Sequence, residues 1–322
     1  MTQENKGLWL GLLGVVMFAA TLPMTKLALG GFTGGLQTDV APGLSAWFVT
    51  FGRAAVAGLC SVVYLLAIKS SVPERKHWRM IGFTALGVIV GFPLLMALAL
   101  QSVPSTHGAV VTGLMPLATA IIGALWWRQK PSLGYWMCAV LGSVLVLCFM
   151  ALRSYQVDGR VALHWADVFL IGAMLIGATG YIGGAHLTPF LGAERVICWV
   201  LVFSLPVTIP VALWNMPTHT VTLAHWLGFA YVALFSMWIG FFAWYRGLHM
   251  GGVVRVSQVQ LLQPFLSILF AVPLVGEHMD LLTVGFALAV IATVFVGKRM
   301  PVNNTPLTAR QVSGKIGSRR DC

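Results

Sequence analysis

The residues able to do chemistry are few in this sequence, and most stand in apolar surroundings. Arg53 interrupts an apolar run nine residues past Leu44, which on a helix places it about 14 Å from that run's end. A charge at that depth in hydrocarbon is expensive, so it is a functional candidate by default. It can meet an anionic or carboxylate-bearing substrate, hold a gate, or donate to the carbonyls of a broken neighbouring helix. Two polar stripes accompany it. Thr112, Pro116 and Thr119 share one helical face, and Ser257, Gln260, Gln263, Pro264 and Ser267 form another. A proline frees the carbonyl one turn back and a buried glutamine needs partners, so the stripes suit either a wet cavity between helices or interhelical hydrogen bonding. Pro23, Pro116 and Pro264 are the expected helix breaks. Tyr181 and Trp238, far from the ends of their apolar runs, could stack on an aromatic or cationic substrate, or simply fill packing gaps.

The chemistry that is missing narrows the classes. All nine acidic residues fall in connections or within about a turn of a span end, so proton coupling through a buried carboxylate is not expected. His107 or His186 would have to serve instead, and both read first as headgroup-level histidines. The sequence contains no HExxH, G-x-S-x-G or P-loop pattern. Its five cysteines have no metal or disulfide spacing. No catalytic residue, metal site or cofactor is therefore expected.

These residues must be positioned by helices in a membrane. Of 322 residues, 58% are hydrophobic and 29 are charged, against roughly 80 in a soluble chain of this size. Windows of about 19 residues give ten candidate spans, near 8–29, 44–68, 78–100, 104–127, 132–152, 166–188, 193–214, 225–248, 253–275 and 281–298. The first could imitate a signal peptide, but its apolar run continues through Leu29, so it reads as a retained helix. With the N-terminus inside, 16 of the 20 basic residues fall on the cytoplasmic side, whereas the outer loops hold Arg153 and Arg160. The net charge of +11 is thus a topological label rather than a sign of a nucleic-acid partner. Lys26 lies near a span end and reads as an interfacial anchor, and Trp9, Trp126, Trp127, Trp165, Trp226 and Trp244 read as belt residues.

Sliding the sequence on itself by 148 residues aligns His77-Trp78 with His225-Trp226, Leu114 with Leu262 and Pro116 with Pro264. The same shift lays Thr112 on Gln260 and Thr119 on Ser267. Five spans per half is an odd number, so the halves would have opposite topology, as in many secondary transporters. The expected fold is an all-α integral membrane protein: ten transmembrane helices in two inverted five-helix repeats, 1–152 and 153–298, with a disordered basic cytoplasmic tail, 299–322.

Several short motifs fall in a fixed order: Thr21-Leu22-Pro23 with Lys26, Phe51-Gly52-Arg53-Ala54-Ala55, Ala97-Leu98-Ala99-Leu100 before Pro116, Tyr245-Arg246-Gly247-Leu248, Pro264, and Gly276-Glu277. In these the chain resembles the ten-helix EamA-type branch of the drug/metabolite transporter superfamily over residues 8–298. It departs from that pattern in lacking a Trp-Gly pair in the first span and in carrying Arg128-Gln129 where Gly-Glu is usual. The resemblance implies a secondary transporter that exports amino acids or related metabolites from a bacterial-type inner membrane, both termini cytoplasmic. The residues alone support a small solute, a polar cavity and one deep arginine. An exchanger of anionic organophosphates or nucleotide sugars is the alternative, followed by a membrane-embedded enzyme or a structural membrane protein. The expected partners are a small-molecule substrate and the lipid bilayer, with room for a homodimer.

Overall fold

The computed structural model describes residues 3–30, 42–100, 113–158, 165–275 and 281–303. Among them the chain is helical, apart from one short antiparallel pairing of Lys130–Pro131 with Val302–Asn303. Six helical stretches are long and apolar enough to cross a membrane: Gln3–Thr25, Ala46–Ala67, Arg75–Met96, Val168–Leu191, Ala193–Trp214 and Leu223–Gly251. Met115–Trp126, Leu133–Phe149 and Leu281–Gly297 are shorter apolar helices. Of the ten expected spans, the fourth is described only from residue 113 onward, so Thr112 and His107 lie outside the described residues, as does the Gly276-Glu277 motif. Lys26 contributes only its backbone to the description.

The first span is two helices, α1 (Gln3–Ala19) and α2 (Thr21–Ala28). Next come α3 (Ala46–Ala67) and α4 (Arg75–Ala85), then a π-helical segment over Leu86–Gly91 that leads into α5 (Phe92–Leu100). Ser45 starts α3 as its cap, accepting the Phe48 N–H at 3.1 Å. The middle of the chain supplies α6 (Met115–Trp126), α7 (Leu133–Asp158), α8 (Ala166–Leu191) and α9 (Ala193–Trp214). After α10 (Leu223–Tyr231) a second π-helical segment, Val232–Ile239, precedes α11 (Gly240–Gly251). The chain then runs through α12 (Val253–Ser257), a 3₁₀ segment over Gln258–Leu262, α13 (Gln263–Val275) and α14 (Leu281–Arg299). Gly192 and Gly252 each join two helices as a single residue, at φ 87° and 81°, a conformation that L side chains rarely adopt.

Lipid offers no hydrophobic drive for two helices to associate, so close packing must do it. Three glycines on one face of α1, Gly7, Gly11 and Gly14, meet Gly240, Gly247 and Gly251 of α11. A Cβ at Gly7 would lie 2.3 Å from the Gly251 nitrogen, and one at Gly247 would lie 2.6 Å from the Gly11 nitrogen, so the backbones touch. A second seam sets Gly87 against Gly180, where an added Cβ would stand 2.8 Å from the Gly180 Cα. Through these seams α1 packs along α11, and α8 along the continuous run from α4 to α5. The other extensive pairings are α3 with α9 and α7 with α14. The main core lies where α8 and α11 cross and includes Ile182, Ile197, Leu201, Trp244 and Tyr245.

Two expectations change. Trp244 is fully buried, because the glycine seam draws α11 so close to α1 that its backbone and Cβ pack on Gly14 and its indole reaches Gly11; it is no belt residue. Trp9, Trp126 and Trp165 remain exposed, 61%, 46% and 59%. The stretch expected to be disordered from residue 299 begins in order: Arg299 closes α14, and Val302–Asn303 pair with the loop before α7. Residues 304–322 lie outside the described residues.

The seam makes a direct prediction. Gly7→Val or Gly247→Val should lower stability in detergent by at least ~1–3 kcal/mol, the usual cost of overpacking. Gly285→Ala, whose Cβ would meet nothing within 4 Å, should be neutral. Thermal unfolding of the purified variants measures both.

Candidate functional site

The break between α1 and α2 is where backbone chemistry becomes available. Pro23 has no N–H to bond the Ala19 carbonyl, and the Ser267 hydroxyl from α13 donates to that oxygen at 2.7 Å. Two residues before Ala19, the Met17 carbonyl accepts the Tyr231 hydroxyl at 3.1 Å. Thr21 bonds the Ser236 hydroxyl at 2.8 Å. Side chains from residues 231–267 therefore bridge the interruption in the first span. Ser267, expected to face a substrate cavity, holds the helix break.

Deeper in the molecule a polar group gathers around Tyr181. The Gln260 amide donates to the Tyr181 hydroxyl across a long 3.5 Å contact, and Arg53 lies within electrostatic reach of the same hydroxyl. Tyr245 is likewise within electrostatic reach of Tyr181. Arg53 Nε, Gln260 Oε1, Tyr245 Oη and the Trp244 indole nitrogen are all buried with no hydrogen-bond partner. Aromatic rings wall the group: Tyr181 meets Trp244 edge-on at 5.4 Å between centroids and Phe241 at 6.1 Å. The rings can approach because α8 is glycine-rich on this side. A Cβ at Gly184 would overlap the Tyr245 ring at 2.1 Å.

The remaining candidates do not join this group. Thr119 is fully buried, its hydroxyl donating to Met115 of its own helix at 2.8 Å. Trp238 donates its indole N–H to the Cys198 sulfur at 3.4 Å and packs edge-on against Tyr64, eleven residues or about 16 Å along α3 from Arg53. Gln263 and Pro264 are half-buried at the start of α13, and Pro116 is buried in the first turn of α6. Gln258, absent from the expected stripe, reaches the Pro116 carbonyl at 3.5 Å. Sequence reasoning placed Trp244 in the interfacial belt and Tyr245 in a family motif, and neither among the site candidates. Their signal was the spacing Phe241, Trp244, Tyr245 and Leu248, an i, i+3, i+4, i+7 face that is buried throughout.

At one end of the bundle Arg255 pairs with Glu4 at 2.7 Å and Arg246 with Glu194 at 3.1 Å. The second pair is exposed and contributes little. No group of three His, Cys, Asp or Glu able to hold a metal occurs among the described residues.

Comparison with known proteins gives concordant matches. A family model described as the EamA-like transporter family matches residues 5–151 and again 164–297. The "Uncharacterized transporter YdeK" of Bacillus subtilis (strain 168) is 36% identical over 301 residues, 93% of this chain and 99% of that protein. "Protein PecM" of Dickeya dadantii (strain 3937) is 26% identical over 74% of this chain and 78% of its own length. A solved crystal structure superimposes with a TM-score of 0.73 at 14% identity, covering 91% of this chain and 96% of that one, a likeness of fold.

The helix-break contact can be tested alone. Ser267→Ala leaves the Ala19 carbonyl without its donor and should lower thermal stability in detergent by about 1 kcal/mol, in the range of such bonds in membranes. Ser267→Thr, which keeps the hydroxyl, should stay close to wild type.

Proposed function

The chain belongs to the EamA-like transporter family, an integral membrane family of the drug/metabolite transporter superfamily, and from that premise we propose that it is a secondary transporter moving a small polar metabolite outward by alternating access. The proposed cargo is an amino acid or a related compound. The architecture we propose is ten transmembrane helices in two inverted five-helix repeats, with both termini cytoplasmic in a bacterial-type inner membrane. Three observations support it. The family model matches once in each half. The 148-residue shift carries the π-helical segment 86–91 onto 234–239, inside the second such segment, Val232–Ile239. The packing of α1 along α11 is paralleled by that of α8 along α4 and α5. Orientation rests on the distribution of basic residues in the sequence.

One observation carries the transport reading: four buried polar atoms without partners, drawn from both halves of the chain, belong to side chains that interact with Tyr181. Leaving each unmet costs about 1–3 kcal/mol, a cost that a polar solute bound among them would offset. Their chemistry is that of a zwitterion's complement. The Arg53 guanidinium suits a carboxylate, while Gln260 Oε1 and the faces of Tyr181 and Trp244 suit an ammonium group. A single arginine is a poor match for the organophosphate alternative, whose doubly charged cargo calls for several.

Arg53→Ala and Gln260→Ala should each abolish substrate movement while the protein still inserts and accumulates; wild-type flux at normal expression would refute the assignment. Cells overexpressing the protein should gain resistance to toxic amino acids or their analogues and not to chemically unrelated drugs. A reporter active only in the periplasm, fused after Cys322, should be silent, and activity there would overturn the ten-span topology.

A further inference from the structure

Away from the Tyr181 group, a groove of about 320 Å³ opens between α1, α7, the 3₁₀ segment and α14. Leu12, Leu261, Leu262, Ile291 and Val294 line it. Trp9 and Phe295 lie along it and are 61% and 54% exposed, so it opens sideways to the surrounding hydrocarbon. Its other end is basic. Arg255 lines the groove there; it donates to Glu4 at 2.7 Å and to the Met300 carbonyl at 3.1 Å, and its Nε is buried without a partner. The exposed Arg299 guanidinium lies 4.6 Å over the Phe295 ring. Lys6, exposed on α1 and one turn from Trp9, adds a third cation, and Glu4 is the carboxylate bonded at this end. The balance is positive.

We propose that this groove seats an anionic glycerophospholipid, of which phosphatidylglycerol is the probe, with one acyl chain along the leucine and isoleucine wall and the phosphate between Arg255 and Arg299. The apolar trough ending in two arginines has the polarity profile of a lipid read from tail to headgroup. Basic pockets between membrane helices select anionic headgroups in this way. A zwitterionic lipid would set its own ammonium among three cations. The inference needs only that the chain sits in a bilayer, so it stands or falls separately from the transport reading.

Native mass spectrometry of the full chain, released from bilayers of equal phosphatidylglycerol and phosphatidylcholine, tests it. The wild type should retain phosphatidylglycerol in preference, and Arg299→Gln should cut that retention roughly fivefold, the worth of one cation near a headgroup. Arg255→Gln also breaks the bonds to Glu4 and Met300, so Ile291→Trp, which fills the groove and leaves every charge in place, is the second arm and should abolish retention. Equal retention of both lipids by the wild type would overturn the proposal, as would undiminished retention in Arg299→Gln and Ile291→Trp.

Discussion

A carbonyl that loses its helical partner inside hydrocarbon has no water to turn to, and that constraint organises this molecule. Pro23 creates such a carbonyl at Ala19, and the chain answers from far along its length with Ser267, while Tyr231 takes Met17 nearby. Gln258 likewise reaches across to the Pro116 carbonyl. The first span can therefore be broken only because segments from the second half stand beside it, and they can stand there only because glycines let the backbones touch.

Close approach then has a second effect. With glycines on the facing sides of α1 and α11, and on α8 at Gly184, the space between the helices is filled by rings from all three. Phe18, Phe241, Trp244 and Tyr181 interlock with centroids 5.0 to 6.1 Å apart. This wall excludes lipid and leaves Arg53, Gln260 and Tyr245 with polar atoms that face protein rather than water. On the proposed transport reading, a polar passenger would supply what this wall withholds from the unmet groups around Tyr181.

Much of this was legible in the sequence. Helices and membrane class follow from apolar run length, and Arg53, Tyr181 and Gln260 stand out because each is polar where its neighbours are not. Trp244 and Tyr245 were not legible in that way, since an aromatic residue near a span end looks the same whether it faces lipid or a neighbouring glycine. The decision belongs to Gly14 and Gly184, more than 60 residues away for Tyr245 and more than 200 for Trp244. Trp238 presents the opposite case. Its depth in the span is right, but rotation about the helix axis turns it toward Cys198 and Tyr64, and one-dimensional spacing carries no azimuth without a known partner. Ser267 was expected to line a substrate cavity, and its partner is backbone freed by a proline some 240 residues earlier.

The seam between α1 and α11 also sets a clock. Gly7 and Gly251 are 251 − 7 = 244 residues apart, and a ribosome adding about 5–20 residues per second takes roughly 12–50 s to cover that distance. Throughout that interval the first helix has been made and its neighbour has not. Its three glycines face lipid, and the Met17 and Ala19 carbonyls wait for a tyrosine and a serine not yet translated. For most of the chain's synthesis, then, α1 is kept in the bilayer by its own apolarity, and the neighbour that will fix its position arrives late.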